Sequence, residues 1–188
     1  MNPTPWQKKL PLWITLSRII SVFPIVLLLS VGKVSFHLAA ALFFIIASIT
    51  DYYDGYYARK FNAISNLGKF LDPIADKVLV TSVLVMLSAQ QKIDPYMVMI
   101  ILARDTIISG IRSVAAADNV VIDAKPTGKW KTALQMIAIP CVMIGEYAFG
   151  IPFDKIGNVV LWVSVILSVV SGVQYYLIYL RSRKNASS

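Results

Sequence analysis

The chain is poor in the side chains on which much protein chemistry depends. Its 188 residues include one cysteine, one histidine and only ten carboxylates. A lone Cys141 excludes an internal disulfide, and its place in an apolar run makes it a small buried hydrophobe. The single His37 lies apart from the acidic stretch described below and reads as a helix-end residue. Internal repeats and low-complexity tracts are absent. The connections between apolar runs are short, so residues 1–188 are expected to form one domain. A cleavable leader is not expected, because no small-residue cleavage site follows the apolar run after Lys8 and Lys9.

Apolar residues are abundant instead. They make up 57% of the chain, and the mean hydropathy is +0.67, values that point to an integral membrane protein. Six apolar stretches, roughly 10–31, 36–60, 70–90, 95–117, 130–149 and 157–180, approach the ~20 residues needed to span a bilayer. The fold class expected is therefore all-α, a polytopic bundle of six transmembrane helices. The net charge of +8 could suggest a nucleic-acid partner. Its cations, however, lie at the ends of the apolar runs, a placement that reads as topology and attraction to anionic phosphates. Lys8, Lys9, Arg59, Lys60, Lys69, Lys125, Lys129, Lys131, Arg181, Arg183 and Lys184 fall on one side. Lys33, Lys92 and Lys155 fall on the other. The positive-inside rule then puts both termini in the cytosol, as expected of a cell (inner) membrane protein.

The acids are not scattered. Asp51, Asp54, Asp72 and Asp76 account for four of the ten and lie within one short stretch, DYYDGYYARKFNAISNLGKFLDPIAD. Each pair is three or four residues apart and so shares a helix face. Small residues (Gly55, Ala58, Gly68) keep the same phase. Four carboxylates this close repel unless a cation neutralises them, and oxygen-only ligands favour a hard ion such as Mg²⁺ or Mn²⁺. Mg²⁺ commonly completes its shell with substrate phosphates, so a phosphorylated substrate is implied. Counted from Phe36 at 1.5 Å per residue, Asp51 and Asp54 lie about 22 and 27 Å along the second helix. In a hydrocarbon core about 30 Å thick, that depth is just beneath the cytosolic headgroups. Asp72 followed by Pro73 would by itself suggest a helix cap. The partner Asp76 and the matching pair on the preceding helix favour a ligand instead.

The spacing D-x2-D-G-x2-A-R-x8-G-x3-D-x3-D resembles the motif of the CDP-alcohol phosphatidyltransferases. Asp51, Asp54, Gly55, Ala58, Arg59, Gly68, Asp72 and Asp76 fill every fixed position, and a gapped pattern this long is specific. The ARD…SGIR stretch (Ala103 to Arg112) and GKWKTALQ (Gly128 to Gln135) are similar to those of members whose acceptor is sn-glycerol 3-phosphate. The resemblance covers nearly the whole chain and implies six helices, a homodimer and about two divalent ions on the four aspartates. Asp54, Gly55, Ala58, Arg59 and Gly68 would bind CDP-diacylglycerol, and Asp76 would be the general base. The implied reaction moves the phosphatidyl group to sn-glycerol 3-phosphate, giving phosphatidylglycerophosphate and CMP. Serine, inositol phosphate or phosphatidylglycerol are alternative acceptors within the family.

Further cations bear on the acceptor. Arg112, Lys129 and Lys131 lie near the cytosolic ends of helices four and five and are candidates for its phosphate. Lys129, beside Gly128 at a helix start, suits an anion. Arg104 and Asp105 lie in a mostly apolar helix, where charges are usually functional or paired; Arg104 points elsewhere and reads as part of a structural ion pair. Thr15 and Arg18 resemble the family's N-terminal P-N-x2-T-x2-R pattern, with Leu12 in place of Asn. Arg18 can equally be read as a cation snorkelling to the interface. An ion transporter is the non-enzyme alternative, since carboxylates in a bundle often mark ion paths. Against it, the acids cluster at one membrane face and no broken helix pair recurs in two halves.

Overall fold

A computed structural model describes the backbone of residues 5–60, 66–117, 126–145 and 150–186, with side chains for 15–50, 74–115, 128–145 and 150–180. Six helices occupy the six expected stretches: α1 (Pro5–Ser30), α2 (Val34–Lys60), α3 (Asn66–Ala89), α4 (Pro95–Ala117), α5 (Pro126–Ile144) and α6 (Phe153–Ala186). Among the described residues there is no strand. Where the observed ends differ from expectation, hydropathy is the reason. Apolarity ends where charge begins, but a backbone hydrogen-bond ladder runs on into polar sequence, so α3 starts at Asn66 and α6 continues through Arg181 and Lys184. Asp72 and Pro73 consequently lie inside α3, and Asp72 is not its cap.

Local chemistry sets the other ends. Helix α5, expected to reach residue 149, stops at Ile144 because Gly145 takes φ +70°, a left-handed conformation that closes helices at little cost only for glycine. Helix α3 closes with paired bonds, Lys92 N to Leu87 O at 3.0 Å and Gln91 N to Ser88 O at 2.9 Å. This is a Schellman arrangement with Gln91, at φ +58°, where glycine is usual. Asp94 then caps α4: its carboxylate accepts from Tyr96 N at 2.9 Å, and Pro95 takes the first helical position.

The helices pack as a closed ring in the order α1, α2, α5, α6, α4, α3, with α3 also touching α5 across it. Ile25, Phe44, Leu79, Leu84, Met97, Ile101, Ile139 and Leu161, drawn from all six helices, fill the interior and are essentially inaccessible. Helices α5 and α6 approach closely at Gly157. A Cβ on Gly157 would lie 2.7 Å from Val142 Cγ2 and 2.9 Å from Ala138 O. Gly157→Ala is therefore expected to force these helices apart and destabilise the bundle by about 1–3 kcal/mol, the usual cost of overpacking. Thermal unfolding in detergent measures this, and an unchanged midpoint would show that the contact is not tight.

Outside the ring the surface is also apolar. Ile20, Phe23, Leu27, Leu42, Ile107, Ile137, Val159 and Ile166 are all more than half exposed. Among the described residues, one stretch, Phe153–Leu180, is long and apolar enough to cross a membrane, while Thr15–Ser30 and Val34–Thr50 are apolar but shorter. His37 sits near the start of α2, as expected of a helix-end residue, but it is buried. Its Nδ1 lies 2.9 Å from Lys92 Nζ. Burial pushes the Lys92 ammonium below its ordinary pKa, with Asp154 opposing.

Candidate functional site

Helices α3, α4 and α5 enclose a cavity of about 80 Å³ lined by Asp76, Lys77, Thr81, Asp105, Thr106, Lys131, Thr132 and Gln135, with Val80, Ile101, Leu102 and Met136 as apolar wall. On α3 and α5 these polar groups recur at one-turn spacing, Lys77 with Thr81 and Lys131 with Gln135, while Asp76 and Asp105 stand beside Lys77 and Thr106. A cluster of charge inside an apolar ring is costly unless paired. Here it is paired. Lys131 Nζ lies 2.5 and 2.7 Å from the two oxygens of Asp105, and the lysine is only 4% exposed. Lys77 Nζ donates to Ser109 Oγ and, at 3.4 Å, to the Asp105 carbonyl, joining α3 to α4.

Arg104 completes the network from the other side. Its Nη1 contacts Asp105 Oδ1 at 2.9 Å, while Nε donates to Ser168 O at 3.0 Å and Nη2 to Ser171 Oγ at 2.7 Å, clamping α4 to α6. The structural ion pair expected of Arg104 is present. Asp105 therefore stands between two cations, and Lys131 keeps one of its three donors for the cavity.

Asp76 is different. No described residue donates a hydrogen bond to its carboxylate, although the charges of Arg18, Lys131, Asp105 and Lys77 all act on it. Arg18 is 4% exposed, which overturns the reading of it as a cation reaching for the interface. It lies buried with Thr15, close enough for its charge to act on Asp76.

The three cations expected around an acceptor phosphate are not brought together at this cavity. Lys131 lines it, whereas Lys129 and Arg112 do not. Both of these are exposed, and the Arg112 guanidinium sits 5.2 Å from the centre of the Tyr175 ring, a cation–π distance. Asp51, Asp54, Gly55, Ala58 and Arg59 fall in the last turns of α2, and Gly68 and Asp72 in the first turns of α3; their side chains lie outside the described residues. Lys77 and the Asp105–Lys131 pair escaped the sequence reading. One signal was available: each is a charge in an otherwise apolar helix, and opposite charges in neighbouring helices tend to meet.

Among the described residues, no three His, Cys, Asp or Glu side chains converge as a metal site. The donor chemistry nevertheless fits a hard cation. Asp76 has a carboxylate that no described residue occupies, and helical spacing places Asp72 one turn before it and Asp51 and Asp54 one turn apart on α2.

The sequence match agrees with this chemistry. The chain belongs to the CDP-alcohol phosphatidyltransferase family, whose model matches residues 8–170, and it is a phosphatidyltransferase. Over 179 residues it is 42% identical to the CDP-diacylglycerol–glycerol-3-phosphate 3-phosphatidyltransferase of Bacillus subtilis, covering 89% of this chain and 93% of that one. The enzyme of the same name from Rickettsia typhi is 38% identical over 171 residues, 90% of this chain and 96% of the other. A third, from Mycoplasma pneumoniae, is 41% identical over 152 residues, 71% and 67% of the two chains.

Proposed function

We propose that this chain is a phosphatidylglycerophosphate synthase, joining CDP-diacylglycerol to sn-glycerol 3-phosphate with release of CMP. The observation that carries the reading is the cavity shared by Asp76 and Lys131: a carboxylate that accepts no hydrogen bond from the described residues and a buried ammonium with one donor to spare. An acceptor that must lose a proton at one end and hold a phosphate at the other suits such a pair. The names carried by its relatives support the same acceptor.

In this reading Asp51, Asp54, Asp72 and Asp76 hold about two divalent cations, Mg²⁺ or Mn²⁺. When bound, such ions neutralise charge on the pyrophosphate and on the departing CMP. Gly55, Ala58 and Gly68 let the nucleotide approach the α2 and α3 backbones, and Arg59 contacts its phosphates. Asp76 takes the proton from the acceptor's primary hydroxyl as that oxygen bonds to the lipid-bearing phosphorus and the bond to CMP breaks. Lys131 gives its remaining donor to the acceptor phosphate. Arg112 and Lys129, outside the cavity, would meet that phosphate only on its way in.

The six helices are proposed to span the cell membrane, with both termini and the aspartates on the cytosolic side. The apolar outer surface and the one-sided cations support this arrangement. A homodimer follows from the resemblance alone. The test is a purified-protein assay with CDP-diacylglycerol, Mg²⁺ and separate acceptors: sn-glycerol 3-phosphate, serine, inositol phosphate and phosphatidylglycerol. CMP and a new phospholipid are expected with glycerol 3-phosphate. Product formed only with another member of the panel would refute the reading.

A further inference from the structure

Gln135 is only 3% exposed. It lines the cavity one helical turn beyond Lys131, and its Nε2 is buried without a hydrogen-bond partner. A buried amide N–H left unpaired is destabilising, and such groups in folded proteins usually have a partner that is itself a ligand or an ordered water. The neighbouring Lys131 is a donor only, and Thr132 directs its hydroxyl to Gly128 O at 3.3 Å, so neither meets the amide N–H.

We propose that Gln135 determines acceptor specificity by hydrogen-bonding the acceptor's non-reacting secondary hydroxyl. This rests on the glycerol 3-phosphate reading and extends it. A phosphate oxygen is a poorer match: it only accepts, and its charge is better met by Lys131. A hydroxyl both donates and accepts, so it pairs with either end of a primary amide. The order of groups also agrees. With the phosphate at Lys131 and the primary hydroxyl at Asp76, the middle carbon and its hydroxyl fall between them, along the wall to which Gln135 belongs. A site built to pair with a substrate hydroxyl discriminates strongly against the analogue that lacks it, because the site's own polar group is then stranded.

The experiment compares two acceptors, sn-glycerol 3-phosphate and 3-hydroxypropyl phosphate, which differ only in the secondary hydroxyl. Wild-type enzyme is expected to favour the first in kcat/KM by about ten- to a hundredfold, the usual consequence of stranding one buried neutral polar group. In Gln135→Met, of nearly equal size and unable to pair, that ratio should fall to within about threefold of one. Gln135→Asn, which keeps the amide but withdraws it by one methylene, should also lower the ratio, and it decides the question if the Met variant does not fold. A structural glutamine satisfied by water predicts the same ratio in all three proteins, and that result overturns the proposal. A wild-type ratio near one does so as well. If wild-type enzyme does not use glycerol 3-phosphate at all, the reading of the acceptor fails and this proposal falls with it.

Discussion

Chelation of divalent cations is expected to lower CMP release from CDP-diacylglycerol by more than about 10³-fold, and added Mg²⁺ or Mn²⁺ to restore it. The magnitude follows from what a cation does at a transferring phosphoryl group, where it contributes several kcal/mol of charge stabilisation. The expectation rests on four carboxylates in helical phase, with neither His37 nor Cys141 among them, and on an Asp76 carboxylate that takes no hydrogen bond from the described residues. Asp51→Asn removes one ligand charge and should raise the metal concentration needed for half-maximal rate, as well as lowering the rate at saturation. Undiminished turnover in excess chelator would exclude the metal reading outright.

Much of this architecture could be read from the chain, and the limits are physical. The six helices were legible because each is a long apolar run bounded by charge or turn residues, and Pro95 and Gly145 mark their ends by backbone chemistry. The start of α3 was not, because Asn66, Gly68 and Lys69 interrupt the apolar run and only the hydrogen-bond ladder counts them as helix. The aspartate spacing was legible because a helix converts three- and four-residue intervals into one face. Partnership between helices is not encoded in any interval. Asp105 and Arg112 share a face by their seven-residue separation, yet Asp105 pairs with Arg104 and Lys131 while Arg112 lies over Tyr175. Ring order decides those contacts, and it is set by the packing of Leu79, Ile101, Ile139 and their neighbours.

The Asp105 pairing changes what a buried lysine can do. An isolated ammonium in this apolar ring would be strongly disfavoured, and a fully neutralised one would attract no phosphate. Asp105 shares its charge between Arg104 and Lys131, so the three together keep a net positive charge. Arg104 is in turn fixed to α6 through Ser168 and Ser171. The cavity wall that carries Lys131 is thus braced from α6, through α4, to α5.

Asp76→Asn is expected to lower the rate at least ~10²-fold, the low end for loss of a general base, while CDP-diacylglycerol still binds. Amide for carboxylate keeps the shape of the side chain and removes its capacity to take a proton, so this variant separates base from scaffold. Position favours the base role. The Asp76 side chain lines the cavity that also holds Lys131 and Gln135. Two measurements together decide its role. A large fall in kcat with unchanged nucleotide affinity supports Asp76 as the proton acceptor. Parallel loss of rate and nucleotide affinity, recovered by raising Mg²⁺, would leave it a metal ligand only and assign the proton to another group. A variant with near-normal kcat would remove Asp76 from the chemistry altogether.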